Sequence, residues 1–119
     1  MLVIEAARMA NGAAPADAFL EELIRKKEDF GRIADVLIRF EEFARTGTLD
    51  VPLQLNSLGN DIWEIKAVDV RLPFYYANSH SRCRAVRLTN GFFKKNGREC
   101  PPRYKKRLAM RVRGEDELL

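Results

Sequence analysis

The sequence predicts an α+β fold in which an N-terminal strand and a helical hairpin pack on an antiparallel sheet, with a helix at the C-terminal end. Three observations predict it. Apolar residues recur at helical spacing between Phe19 and Ala44, alternate between Trp63 and Tyr76, and give way after Pro101-Pro102 to a basic helical stretch. Helices followed by a run of strands indicate α+β, with the helices on one face of the sheet. At 119 residues the chain has the size of a single domain spanning 1–119, since domains cluster near ~100–150 residues. A content of 46% hydrophobic residues is enough to fill a core at that length.

Met1 to Ala7 opens with Leu-Val-Ile and reads as an edge strand. Asn11 to Pro15 is a loop, and Pro15 suits the first turn of a helix. Phe19, Leu20, Leu23 and Ile24 then form one helical stripe, and Ile33, Val36, Leu37, Phe40, Phe43 and Ala44 form a second. Gly47 is placed to end that second helix in a left-handed conformation. The polar stretch from Lys26 to Gly31 separates the stripes, so two helices in a hairpin are expected, one bent helix being the alternative. Beyond Pro52 the period becomes two. Trp63, Ile65 and Ala67 share one side of a strand and Glu64 and Lys66 the other, which makes Trp63 a core residue beneath the hairpin. Val70, Leu72, Phe74 and Tyr76 alternate with Arg71, Pro73, Tyr75 and Ala77 in a second strand. The cluster Asn78-Ser79-His80-Ser81 is a turn, Arg82 to Asn90 a third strand, Asn96-Gly97 another turn, and Tyr104 to Arg113 the terminal helix.

Several chemistries are excluded or disfavoured. No apolar run approaches the ~18–20 residues that span a bilayer, and Glu5 interrupts the only apolar stretch near the start with no basic residue ahead of it. A cytoplasmic protein without membrane contact is expected. Cys83 and Cys100 are too few for a disulfide framework or a four-ligand zinc site, and no Gly-rich phosphate loop is present. His80, the only histidine, falls in a turn tip and reads as a bystander. No cofactor and no metal are expected.

Charge is the more informative feature. Residues 1–60 carry seven basic and ten acidic side chains, whereas Lys66 to Arg113 carries fourteen basic against only Asp69 and Glu99. Such a concentration creates a field that attracts a polyanion, and nucleic acid is the expected partner. Lys66 and Arg71 fall on adjacent strands near a tight turn, Lys94 and Lys95 end the third strand, and Arg103, Tyr104 and Lys105 open the last helix. A cationic set of this kind could stabilise charge on a phosphodiester during attack by the RNA 2′-hydroxyl, with a lysine of lowered pKa as base. Tyr104 and Tyr75 are the aromatics placed to touch a base. The residues by themselves leave cleavage and simple binding open.

The segment Leu58-Gly59-Asn60-Asp61-Ile62-Trp63-Glu64-Ile65-Lys66 resembles the leucine-glycine, tryptophan-glutamate-leucine-arginine strand of the HigB-like, phage-derived branch of the RelE/ParE toxin superfamily. Gly91-Phe92-Phe93-Lys94-Lys95 resembles that branch's glycine-phenylalanine-x-lysine-lysine motif, and Pro102, Ala109, Arg111 and Arg113 resemble its terminal-helix signature. The resemblance runs over residues 16–113. It implies a small RelE-like fold and the toxin of a type II toxin–antitoxin system, commonly a ribosome-dependent mRNA endonuclease. The implied partners are mRNA on the ribosome and a cognate antitoxin that often carries a helix-turn-helix. Two alternatives accompany it: a toxin of the same fold that poisons another target such as gyrase, and a non-catalytic basic RNA-binding module. By position, Lys66, Arg71 and Lys95 match the family's catalytic cations, and Tyr104 lies near its base-stacking residue. The chain departs from the pattern at Asn90, where members often have histidine, in a longer stretch from Lys95 to Pro102, and at Pro73. Proline within a strand predicts an edge position or a bulge.

Overall fold

The computed structural model describes residues 2–77 and 84–119. The expected turn over 78–81, with His80, and the expected start of a strand at Arg82 and Cys83 lie outside the described residues. The order is β1 (Leu2–Ala6), α1 (Pro15–Arg25), a 3-10 turn (Lys27–Asp29), α2 (Phe30–Thr46), β2 (Leu55–Gly59), β3 (Ile62–Ala67), β4 (Val70–Ala77), β5 (Arg84–Leu88), β6 (Phe92–Phe93) and α3 (Pro102–Asp116). Two helices joined by a turn, rather than one bent helix, precede the sheet. Gly47 ends α2 at φ 74°, its N–H donating to the Phe43 carbonyl at 2.8 Å, the left-handed stop that glycine adopts without a Cβ penalty.

The sheet runs β1-β5-β4-β3-β2, with β6 continuing beside the start of β4 where β5 has ended. It is mixed, not purely antiparallel: β1 pairs with β5 in parallel, Leu2 opposite Arg84 through Ala6 opposite Leu88. The helical hairpin and three further strands intervene between these two segments, ample chain for a same-direction pairing. Strand β2, at the far edge, is a further element not anticipated from Leu55-Asn56-Ser57-Leu58-Gly59, a run too short and polar to show a period.

The helices occupy both faces, not one. Ile65, Ala67, Val70, Leu72, Phe74 and Val86 form a core with Leu23, Val36 and Phe43 of the hairpin, and Trp63 packs against it from the same side. On the other face, Leu58, Ile62 and Tyr75 meet Ala109 and Val112 of α3. Strands β3 and β4 are covered on both sides for that reason, and β4 is buried without a break from Val70 to Tyr75. Two residues of the helical stripes, Ile24 and Leu37, turn out to be exposed, because α1 and α2 present only one side each to the sheet.

Pro73 lies inside this central strand, where the sheet is interrupted rather than at an edge. Its carbonyl accepts the Thr89 N–H at 2.9 Å and the Thr89 hydroxyl at 3.2 Å. In an antiparallel strand a residue's nitrogen and carbonyl point the same way. The missing proline N–H therefore faces the break between β5 and β6.

Gly91 lies in that break, and a Cβ built on it would fall within the Phe19 ring of α1. The glycine of the Gly-Phe-Phe-Lys-Lys segment thus lets the hairpin close onto β6, where Phe19 and Phe93 have ring centroids 5.0 Å apart. Gly91→Ala is expected to cost about 1–3 kcal/mol through overpacking, read as a lowered urea midpoint. An unchanged midpoint would mean that Phe19 can leave this position freely.

Candidate nucleic-acid interface

Strands β3 and β4 are joined by a two-residue turn, Val68-Asp69, with Lys66 paired across the strands with Arg71. Arg71 is in turn paired with Phe92 of β6. Cross-strand partners stand on one face, so Lys66, Arg71 and Phe92 all point to the α3 side. After β6 the chain reverses at Lys95 and Arg98, whose backbones exchange hydrogen bonds of 3.1 and 2.8 Å. Asn96 and Gly97 at the tip both have positive φ, 51° and 72°, as a two-residue hairpin turn requires. The chain then leads through Glu99 and Cys100 into α3, where the Tyr104 ring stands edge-on to Phe92 with centroids 6.2 Å apart. Arg107 lies over Tyr104 at 5.7 Å.

Lys95, Arg98, Arg103, Tyr104 and Arg107 are exposed around this end of the sheet, and Lys66 is half-buried. A groove of about 830 Å³ opens between β6 and the following loop, with Phe92, Lys95, Arg98 and Glu99 in its wall. Lys94 faces a different cavity, of about 420 Å³, beside Asp29, Arg32 and Asp69. There Arg32 bonds both carboxylates, Asp29 and, at 2.9 Å, Asp69, and these hydrogen bonds raise its pKa above the ordinary arginine value.

Three residues expected to touch RNA are interior. Lys105, only 1% exposed, lies on the buried stripe of α3 with Ala109, Val112 and Asp116. Its ammonium stands 2.9 Å from Glu64 Oε2, an ion pair by distance although off hydrogen-bonding direction, and 3.3 Å from Glu99 Oε2. Tyr75, 2% exposed, is covered by α3 because strand alternation puts it opposite Phe74; its hydroxyl donates to Asp116 and Arg113 lies over its ring. Arg71 is buried as well. Its Nε and Nη2 lie 2.8 and 2.6 Å from Glu99 Oε1, and its Nη1 donates to the carbonyls of Val68 and Val70 at 2.7 and 3.0 Å. The guanidinium thereby clamps the turn at Val68, whose φ of 55° is costly for a β-branched residue.

The result is an alternating chain of charges, Arg71–Glu99–Lys105–Glu64, beneath an exposed cationic rim. Burial pushes the Glu99 carboxyl up, but the Arg71 hydrogen bond and the charges of Arg71 and Lys105 outweigh it and hold the group below the ordinary glutamate value. A second network ties the end of α3 to the sheet. Asp116 accepts the Arg8 backbone N–H at 2.8 Å, Arg87 at 2.9 Å and the Tyr75 hydroxyl. Burial, helped by the Asp116 bond, pushes the Tyr75 phenol up to about 12. Burial also pushes Asp116 up, and its three donors overcome that and leave it lowered. Because folding lowers this pKa, the stabilisation is fully present above the ordinary aspartate value of about 3.9 and is lost as pH falls through the folded value. Unfolding free energy measured from pH 6 downward should therefore drop through this window, and the drop should be shallower in Asp116→Asn. Parallel acid profiles would remove Asp116 as a contributor.

Glu99, Arg98 and Arg107 were not singled out as site residues by the sequence, and Arg111 entered only as part of the terminal-helix resemblance. The spacing of Arg103, Arg107 and Arg111 by four residues places them on one helical face, a signal the sequence carried. Nothing local marked Glu99, whose partners are 28 residues upstream in β4 and six downstream in α3. Among the described residues no group of three metal-ligating side chains occurs, and no helix is long and apolar enough to cross a membrane. No protein-family model and no curated protein matches the chain.

Proposed function

We propose that the chain is a toxin of the RelE/ParE kind that cuts mRNA on the ribosome by promoting attack of the RNA 2′-hydroxyl on the adjacent phosphate. The observation that carries the reading is the rim of Lys95, Arg98, Arg103, Tyr104 and Arg107 around Phe92 and Lys66 at one end of the sheet. The cations bind the backbone, and an aromatic beside them can stack on an unpaired base. Lys66 as the neutral amine accepts the 2′ proton while that oxygen bonds to phosphorus, and Lys95 donates to the oxygen that gains charge in the transition state. The bond to the 5′-oxygen breaks as that oxygen takes a proton from water. Lys66 is held in register between β3 and β4, and Lys95 by the backbone hydrogen bonds it exchanges with Arg98 beyond β6.

Purified protein added to ribosomes paused on a defined mRNA should generate new 3′ ends carrying 2′,3′-cyclic phosphate. Its expression should arrest growth. Intact mRNA in a reaction where the protein co-sediments with ribosomes would overturn the nuclease reading. The pairing of Arg71 with Glu99 favours a second reading, RNA binding without cleavage, since one of the three expected catalytic cations is already neutralised. Co-sedimentation without new ends is its signature.

A further inference from the structure

We propose that Glu99 is an internal stand-in for a phosphoryl group, occupying an anion site built from Arg71 and Lys105 that opens when its carboxylate swings out. The inference rests on the RNA-directed reading and adds to it the place where a phosphate is held.

The two halves of the Glu99 contact are unequal. Arg71 is held by the Val68 and Val70 carbonyls, and Lys105, on the buried stripe of α3, has its ammonium 2.9 Å from Glu64, so both cations have contacts besides Glu99. They are 5% and 1% exposed, and their donors converge from two directions: Arg71 Nε and Nη2 on one oxygen, the Lys105 ammonium on the other. Glu99, by contrast, belongs to the short loop between β6 and α3, and its side chain is 35% exposed. It also forms part of the wall of the groove that Lys95, Arg98 and Phe92 line. Moving it outward exposes the two cations to that groove. An arginine fork with a neighbouring ammonium suits phosphate oxygens as well as a carboxylate, and the fork is the geometry that arginine brings to phosphate recognition. The charge count agrees: with Glu99 removed, Arg71 and Lys105 face Glu64 alone, leaving a buried positive charge that an anion would neutralise.

The test is a thermal unfolding series of the full chain in inorganic phosphate against chloride of equal ionic strength. Glu99→Gln should unfold at a lower temperature in chloride and recover by roughly 5 °C in phosphate at about ten times its dissociation constant. The parent protein should shift by less than about 1 °C, because its own carboxylate holds the site. Glu41→Gln removes a charge from the exposed side of α2 and should behave as the parent. Equal phosphate responses in all three proteins would overturn the proposal. If Glu99→Gln does not fold in chloride, Glu99→Asp replaces it. Aspartate falls one methylene short of Arg71, and a phosphate response larger than the parent's is required; a response no larger than the parent's overturns the proposal. Binding of a short single-stranded RNA, expected to tighten about tenfold in Glu99→Gln, separates a phosphodiester from free phosphate as the ligand. Phosphate rescue with no mRNA cleavage by the parent protein would keep the anion site and remove the nuclease. Cleavage with no phosphate rescue would remove the stand-in alone.

Discussion

Lys105→Ala is expected to lower the unfolding free energy by about 3–5 kcal/mol, the penalty for breaking a buried ion pair and leaving its partner charged. Glu64 is almost completely buried on β3 and loses its nearest cation in this variant, while Glu99 loses one of its two. The stem of Lys105 also fills space between α3 and the sheet, so its removal leaves a void. Replacing both partners, as in Glu64→Leu combined with Lys105→Met, should recover most of the loss, since an apolar pair of similar volume needs no compensating charge. Urea unfolding of the single and double variants measures the difference. A Lys105→Ala protein within about 1 kcal/mol of the parent would place Lys105 on the surface and restore it as a candidate for RNA contact.

Lys95→Ala carries the largest expected effect on activity. Lys95 is exposed and has no ion pair among the described residues, so the variant should fold and bind ribosomes as the parent does. Cleavage should fall about 10²–10³-fold, the scale of losing one donor to a charge that develops only in the transition state. The loss should appear in kcat with KM little changed. Arg103→Ala, by comparison, removes a cation from the rim and should weaken binding several-fold without a separate effect on the chemical step. Arg71→Ala is not a clean test of catalysis. It frees Glu99 and the carbonyls of Val68 and Val70 together, so its activity has to be read against its stability. Parent-like cleavage by Lys95→Ala would end the role assigned to that residue.

The sequence by itself determined what depends on neighbours along the chain. The helical hairpin, the glycine stop at Gly47, the alternation that puts Trp63 with Ile65 and Ala67, and the basic terminal helix follow from local period and turn chemistry. The charge excess after Lys66 follows from composition, and strand register made Lys66 and Arg71 neighbours across a short turn. Only the tertiary structure decided which cations remain free. Arg71 and Lys105 look like Lys95 and Arg103 in the sequence, but a long-range carboxylate, Glu99, and a second helical layer over Glu64 and Tyr75 take them out of solvent. The parallel pairing of β1 with β5 is of the same kind, joining segments more than eighty residues apart. Burial and charge pairing are sums over groups that meet only when the chain is folded, and no local period records them.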